Sequence, residues 1–220
     1  MKITEFQNIQ KFKFLPTDTT TDDVRIRELT WIASYLPLKG LNIEFGVHSG
    51  LTISCVANLL PHLKFHGFDS FTGLPEDWDM GYKMVKKESF DCEGELPEVP
   101  NNVELHKGWF NETIPKFLNK HKEDISYLHI DSDIYSSATT ILEECNNQIV
   151  KGTIIRFDEL CCWRHAFTEA TPPNDAKRVL YPKWPDHEWK ALNEWLDKYN
   201  RKVIPISRSW FQSATMVVTQ

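Results

Sequence analysis

Four acidic residues in the second half of the sequence are the side chains best suited to bind a metal ion. Asp131 and Asp133 stand at the end of one short apolar run, and Asp158 and Glu159 stand at the end of the next. Adjacent parallel strands lie about 5 Å apart, so two such strands would bring four carboxylates together. A hard divalent cation would remove their repulsion, and Mg²⁺ prefers carboxylate and water ligands. In the structural alternative these acids cap helices, face solvent or pair with nearby basic side chains.

A glycine-rich turn precedes the acids in the chain. Glu44, Gly46 and Gly50 form an E-x-G-x-x-x-G pattern at the end of an apolar run. Glycines at the carboxyl end of a strand let the backbone approach a ligand, and open parallel sheets bind their ligands at this edge. The neighbouring glutamate suits a cationic ligand better than a pyrophosphate. The alternative is a tight strand-to-helix turn that needs glycine only for its geometry.

An aspartate ends the next apolar run, about twenty residues after the glycine turn. This residue, Asp69, is followed by Ser70. A carboxylate at this place can accept hydrogen bonds from both ribose hydroxyls of an adenosine ligand. An isolated aspartate before a serine more often caps a turn. The interpretation of Asp69 as a ribose-binding residue therefore depends on its spacing from the glycine turn.

The elements that must position these residues alternate along the chain. Short apolar runs predict strands at 41–47, 64–69, 103–106, 125–131 and 153–157, and helical spacing predicts helices at 24–36, 51–60, 138–149 and 186–199. Such alternation predicts an α/β fold with a parallel sheet and right-handed crossovers. Two last strands, 202–206 and 214–219, have no helix between them and must be antiparallel neighbours.

Composition limits the classes of protein that this chain can belong to. Its 220 residues are 41% hydrophobic and 25% charged, which predicts one folded domain rather than a disordered chain. The net charge of −6 gives no general footprint for nucleic acid. No apolar run approaches the ~18 residues of a membrane helix, so we expect a cytoplasmic protein without a membrane partner. The five cysteines contain no CxxC pair and are expected to be reduced thiols.

Together these motifs resemble the class I S-adenosylmethionine-dependent methyltransferases, and more closely the macrocin O-methyltransferase family. The stretches that carry the resemblance are 44–47, 67–75, 106–110, 129–137 and 152–155 with Asp158. The resemblance implies a Rossmann-like methyltransferase fold, with a seven-stranded, mostly parallel sheet, an antiparallel last strand and helices on both faces. The resemblance runs through most of the chain from about Asn42 onward, and we expect a single domain over residues 1–220. We expect a docking helix within 1–40 and lid segments at 71–102 and 160–185, where long stretches lack clear periodicity.

The resemblance also implies which residues bind the cofactor S-adenosylmethionine. The glycine turn would hold the methionine part, the acid after the second strand the ribose, and the residues after the third strand the adenine. The residues assigned in this way are Glu44, Gly46, Gly50, Asp69, Ser70, Gly108, Trp109, Phe110 and Asp131.

Family members that use Mg²⁺ imply the remaining roles. Asp131, Asp158 and Glu159 are the predicted metal ligands, and Asp133 is the predicted general base. Glu159 departs from the family, which often has Asp or Asn there. Related catechol-type enzymes have a lysine where this chain has Ile134, which leaves Asp133 as the nearby base.

The sequence therefore predicts an O-methyltransferase that methylates a hydroxyl of a small molecule, a sugar or a phenol, with Mg²⁺ assistance. Aromatic residues in the lid segments would close over the acceptor and exclude water. They are Trp78, Trp163, His165, Phe167, Tyr181 and Trp184. Two other classes stay open, a nucleotide-dependent oxidoreductase and a cofactor-binding protein without catalysis. The identity of the acceptor and the formation of a homo-oligomer are also open.

Overall fold

The computed structural model describes residues 1–12, 21–37, 39–167 and 181–220, except for the side chains of residues 21–24 and 165. The strands are β1 (Gln10–Phe12), β2 (Leu41–Phe45), β3 (Phe65–Asp69), β4 (Trp78–Asp79), β5 (Met84–Val85), β6 (Val103–Lys107), β7 (Ile125–Ile130), β8 (Ile149–Phe157), β9 (Val203–Ser209) and β10 (Ala214–Val218). The α-helices are α1 (Thr21–Ala33), α2 (Leu51–Leu59), α3 (Phe110–Lys120), α4 (Tyr135–Glu144), α5 (Trp163–Phe167) and α6 (Glu188–Lys198). Short 3₁₀ helices cover Ile3–Phe6 and Trp184–Asp186.

A single large sheet forms the centre of the molecule, in the strand order β1-β9-β10-β8-β7-β2-β3-β6. The five strands from β8 to β6 are parallel to one another, and β10 is antiparallel to both β8 and β9. The predicted Rossmann-like α/β fold with an antiparallel last strand is confirmed. The predicted count of seven strands is one too few, because β1 adds to β9 in parallel.

Helices cover both faces of this sheet, and each face has its own apolar core. On one face, α1 and α2 contribute Leu29, Ile32, Ile53 and Val56 to one buried cluster. On the other face, α3, α4 and α6 contribute to a second cluster that includes Trp195. This two-sided cover is what buries parallel strands on both faces.

Other elements also differ from the sequence-based expectation. Helix α3 was not predicted, because Pro115 interrupts a segment whose Ile114, Phe117 and Leu118 nevertheless form its buried face. Helix α4 begins three residues earlier than expected, and it ends at Glu144 so that β8 can begin at Ile149. Inside the first predicted lid segment, β4 and β5 form a small antiparallel hairpin.

Part of the second predicted lid segment, residues 168–180, lies outside the described residues. No helix in the described part of the chain is long and apolar enough to span a membrane. The five cysteines are free thiols.

Candidate active site

A cavity of about 330 Å³ lies at the edge of the sheet where β2, β3 and β7 end. The loops that follow these strands, together with the start of α3, form most of its wall. The sequence-predicted site residues that line it are Gly46, Asp69, Ser70, Trp109, Phe110, Asp131, Asp133 and Glu159. The parallel arrangement therefore brings eight of the twelve predicted residues into one space. The other four are Glu44, Gly50, Gly108 and Asp158, which do not line this cavity.

The glycine turn after β2 packs directly against the acid loop after β7. Gly46 has a φ of +90°, and a Cβ on it would lie 1.7 Å from the main-chain oxygen of Asp131. Only glycine permits this contact. Gly50, with a φ of +77°, is the residue before α2 and does not line the cavity, although its neighbours Ser49 and Leu51 do.

Asp69 connects the loops that follow β2 and β3. Its carboxylate accepts the main-chain N–H groups of His48 and Phe71, both at 2.8 Å. Ser70 donates its hydroxyl to the main-chain oxygen of Gly73 at 2.8 Å. Asp69 thus caps a turn and also lines the cavity, and its role toward a ligand stays a prediction.

Glu44 lies beneath the glycine turn rather than in the cavity wall. It is buried, and its carboxylate accepts the hydroxyl of Thr52 at 2.8 Å and contacts Nδ1 of His129 at 2.8 Å. These contacts join β2 to α2 and β7. Glu44 therefore supports the glycine turn from outside the cavity wall.

The residues predicted to border an adenine ring surround the start of α3. Gly108 has a φ of +137° and donates its N–H to the main-chain oxygen of Asp69 at 2.9 Å. Trp109 precedes the helix and is 38% exposed, while the Phe110 ring packs edge-on against Phe45 at 5.2 Å. Trp109 therefore offers an accessible aromatic surface at the cavity.

Three of the four acids come together at the cavity. Oxygen atoms of Asp131, Asp133 and Glu159 lie within 4.8 Å of one another. Burial and the charge of Asp158 raise the pKa of Asp131 and of Glu159 well above the usual range. The same two causes raise the pKa of Asp133 to about 7. The carboxylates therefore experience excess negative charge, which a bound cation would relieve.

The fourth acid, Asp158, has a different environment. Its carboxylate accepts an N–H from the buried Arg156 and lies 3.5 Å from Arg25. Burial alone would raise the pKa of Asp158, but the Arg156 guanidinium holds it well below the usual range. Arg156 in turn lies 3.4 Å from the buried Glu28 of α1. Asp158 is therefore already neutralised by protein cations.

Glu188, a residue that the sequence analysis missed, joins the two acid loops. It is the first residue of α6 and is fully buried. One carboxylate oxygen accepts the N–H of Ser132 at 3.3 Å, and the other accepts the N–H of Glu159 at 3.1 Å. No local signal identifies this role, because Glu188 is far from both loops in the sequence and looks like an ordinary first-turn helix acid.

A second cavity of about 260 Å³ adjoins the first. Arg25, Trp78, Phe90 and Glu159 line both. The first predicted lid segment supplies part of the wall of this second cavity, from Trp78 to Phe90. In the second predicted lid segment, Trp163 is buried in the core against Phe6 and lines neither cavity.

A family model for the methyltransferase domain matches residues 43–160. This match spans more than half of the chain and includes the glycine turn, Asp69 and all four acids. The protein therefore belongs to the methyltransferase domain family.

Solved structures with the same fold include several methyltransferases. The O-methyltransferase NovP matches with a TM-score of 0.61 and 17% identity over 89% of this chain and 80% of NovP. CalS11, a TDP-rhamnose 3′-O-methyltransferase, matches with a TM-score of 0.53 and 24% identity over 90% of this chain and 78% of CalS11. MycE, solved with Mg, SAH and mycinamycin VI, matches with a TM-score of 0.53 and 11% identity over 88% of this chain and 49% of MycE. No curated protein sequence matches this chain.

Proposed function

We propose that this protein is an S-adenosylmethionine-dependent O-methyltransferase of the macrocin type that acts on a small molecule with the help of Mg²⁺. The observation that carries this proposal is the composition of one cavity wall. Asp69 lies on the side of β3, and Asp131, Asp133 and Glu159 lie on the side of β7 and β8. This wall suits an adenosine ligand that carries a sulfonium cation. It opposes a pyrophosphate, which argues against a nucleotide-dependent oxidoreductase.

The cofactor-binding residues divide into those that face the cavity and those that support it. Asp69 and Ser70 would bind the ribose, and the Trp109 and Phe110 rings would border the adenine. Gly46 and Asp131 would lie beside the methionine part. The supporting residues are Glu44, Gly50 and Gly108. Bound S-adenosylmethionine would supply an electrophilic methyl group.

The acid set fits a divalent cation on two observations. Three carboxylates lie within 4.8 Å of one another, and Oε2 of Glu159 is buried without a hydrogen-bond partner. Mg²⁺ is usually held by one or two carboxylates with several waters. We assign Asp131 and Glu159 as ligands, while Asp158, whose two oxygens contact Arg156 and Arg25, would join them by exchanging one of these contacts for the cation. A bound cation would lower the pKa of the acceptor hydroxyl and fix its approach.

Asp133 is our candidate for the residue that removes the proton of the acceptor hydroxyl. Its pKa of about 7 suits proton transfer near neutral pH. It lines the cavity with a φ of +63°, a conformation that aspartate and asparagine tolerate better than most residues. Trp78 and Phe90 lie across the two cavities and would limit the access of water during transfer.

The second cavity is our candidate for the acceptor subsite. It combines aromatic side chains, Trp78, Tyr82 and Phe211, with the polar Gln212 and Ser213. Aromatic faces beside hydrogen-bonding groups suit a sugar ring or a phenol. CalS11, whose fold this chain shares, is a TDP-rhamnose 3′-O-methyltransferase, which favours a sugar among these two.

The test is incubation with S-adenosylmethionine carrying a deuterated methyl group, Mg²⁺ and a panel of sugar nucleotides, glycosides and phenols. Mass spectrometry should detect a gain of one labelled methyl group on an acceptor oxygen, with formation of S-adenosylhomocysteine. Calorimetry with S-adenosylmethionine and with NAD completes the test. Cofactor binding without any methyl transfer would favour a non-catalytic binding protein, and binding of NAD alone would favour an oxidoreductase.

A further inference from the structure

A second group of metal-ligating side chains lies on the edge of the sheet opposite to β1, outside both cavities. His66 belongs to β3, and Glu104 and His106 belong to β6, the edge strand. His66 pairs with Glu104 in the parallel register, and Glu104 and His106 are two residues apart. Side chains in register, and side chains two apart on one strand, point to the same face. The fold therefore gathers two imidazoles and one carboxylate on one face.

The distances between the ligand atoms are close to those around one small ion. Nδ1 of His66 lies 3.1 Å from Nε2 of His106 and 3.9 Å from Oε2 of Glu104. All three atoms lie within 4.8 Å of one another. A tetrahedral Zn²⁺ ion with bonds of about 2.1 Å places its ligands roughly 3.4 Å apart. Small side-chain movements would therefore complete the site.

The chemistry of these groups favours a transition metal over Mg²⁺. Imidazole is a good ligand for Zn²⁺, whereas Mg²⁺ selects oxygen. Burial lowers the pKa of His66 to about 4 and lowers that of His106 as well, so both rings carry a lone pair at neutral pH. The two facing nitrogens share a single proton in the hydrogen bond, and a cation in its place would use both lone pairs.

The surroundings show how rigidly each ligand is held. His66 is 3% exposed. The centroid of its ring lies 4.7 Å from that of Phe117 and 5.2 Å from that of His121, both on the side of α3. The Phe68 ring stacks on His106 at 4.4 Å. Glu104 is half exposed, and Lys64 contacts its Oε2 at 2.6 Å. The two imidazoles are therefore preorganised, and Glu104 must exchange Lys64 for the metal.

We propose that His66, Glu104 and His106 form a binding site for Zn²⁺ or a similar transition-metal ion that is separate from the active site. The ion would tie the edge strand β6 to β3. Because Gly108 and Trp109 directly follow β6, the same tie would steady the wall of the main cavity. A ligand that binds only the folded state also raises its stability.

The test is calorimetric titration of the full-length protein with Zn²⁺ in saturating Mg²⁺, which occupies oxygen sites but competes poorly for imidazole. We expect one equivalent of Zn²⁺ to bind and to raise the melting temperature. Glu104→Gln keeps the shape of a half-exposed side chain, and His106→Gln removes an imidazole. Each should weaken Zn²⁺ binding by at least about tenfold, the effect of losing 1.4 kcal/mol.

The matched control is His62→Gln, which removes an exposed histidine just before β3 and should leave the affinity for Zn²⁺ within twofold of the wild type. Circular dichroism checks that each variant is folded. Wild-type Zn²⁺ affinity in folded Glu104→Gln and His106→Gln proteins would overturn the proposal. So would the absence of Zn²⁺ binding to the wild-type protein in saturating Mg²⁺. Neither outcome depends on methyl transfer, so the two proposals fail separately.

Discussion

The carboxylate of Glu188 accepts the main-chain N–H of Glu159 at 3.1 Å. Its other oxygen accepts the N–H of Ser132, the residue between Asp131 and Asp133, at 3.3 Å. One buried side chain from α6 therefore holds both loops that carry the acids. The relative position of the acids depends on a helix that contributes no residue to the cavity wall.

This contact predicts that Glu188→Gln disturbs turnover more than cofactor binding. The amide group of glutamine would place an N–H donor against one of the two main-chain N–H groups and shift a loop. A displacement near 1 Å costs up to about a hundredfold in rate, so we expect kcat to fall by about ten- to a hundredfold. The dissociation constant of S-adenosylmethionine should stay within about threefold, a change below 1 kcal/mol.

The control for this variant is Glu194→Gln on the same helix. Glu194 is an exposed side chain that accepts the hydroxyl of Tyr135 at 2.6 Å. The Glu194→Gln protein should keep the wild-type kcat. A wild-type kcat in a folded Glu188→Gln protein would show that the acid loops hold their geometry without α6.

Removing the charge of Asp69 should weaken cofactor binding. In Asp69→Asn one carbonyl oxygen remains to accept a main-chain N–H, but the charged acceptor for the ribose hydroxyls is lost. We expect a loss of roughly 1.5 to 3 kcal/mol in the binding free energy of S-adenosylmethionine, measured by calorimetry. Asp77→Asn, which removes an exposed aspartate paired with Lys86, is the control. Unchanged affinity in the folded Asp69→Asn protein would remove Asp69 from the cofactor site.

Removal of divalent metal should abolish turnover and spare cofactor binding. A chelator would take the proposed cation from Asp131 and Glu159, while the proposed contacts of Asp69 with the ribose would not involve the metal. Mg²⁺ should restore activity, and Asp131→Asn should raise the Mg²⁺ concentration needed for half-maximal activity. Full activity in excess chelator would contradict the metal assignment and leave the acids as an electrostatic feature.

Asp133→Asn tests whether Asp133 is the base. Asparagine keeps the side-chain shape and tolerates the φ of +63°, but it cannot accept a proton. Turnover should fall by about 10² to 10⁴, with affinities for Mg²⁺ and cofactor nearly unchanged. The loss should become smaller as pH rises, because hydroxide can then remove the proton. A variant that loses Mg²⁺ affinity and recovers activity at high metal would instead make Asp133 a ligand.

The same substitution should stabilise the metal-free protein at high pH. The folded-state pKa of Asp133 is about 7, above the ordinary aspartate value of 3.8, so the folded state binds this proton more tightly than the unfolded state. The free energy of unfolding of the wild type therefore falls, through Asp133, as pH rises from about 4 through 7. In chelator at pH 8, urea unfolding should show Asp133→Asn to be more stable than the wild type by about 1 to 4 kcal/mol.

At pH 4 the difference between the two proteins should nearly vanish. Asp197→Asn, at an exposed position of α6, should show no such gain at pH 8. Equal stability of the wild type and Asp133→Asn at pH 8 would show that Asp133 is solvated well enough to carry its charge without cost.

The sequence by itself determined the order of the central strands along the chain and the residues at their ends. Periodicity is a local property, and the parallel strands β2, β3, β7 and β8 each contain enough apolar residues to be recognised. Parallel strands end at the same edge, so Gly46, Asp69, Asp131 and Asp133 had to meet once the sheet was predicted. Their presence in one cavity wall follows from this geometry.

Only the tertiary structure decided which side chains these residues contact. Strand β1 is three residues long and exists because β9 offers it an edge. Asp158 pairs with Arg156, and Glu188 joins the acid loops from a distant helix. Trp163 fills the core rather than a lid. These contacts link segments far apart in the chain, and their energies depend on burial and distance, which local patterns of residues do not encode.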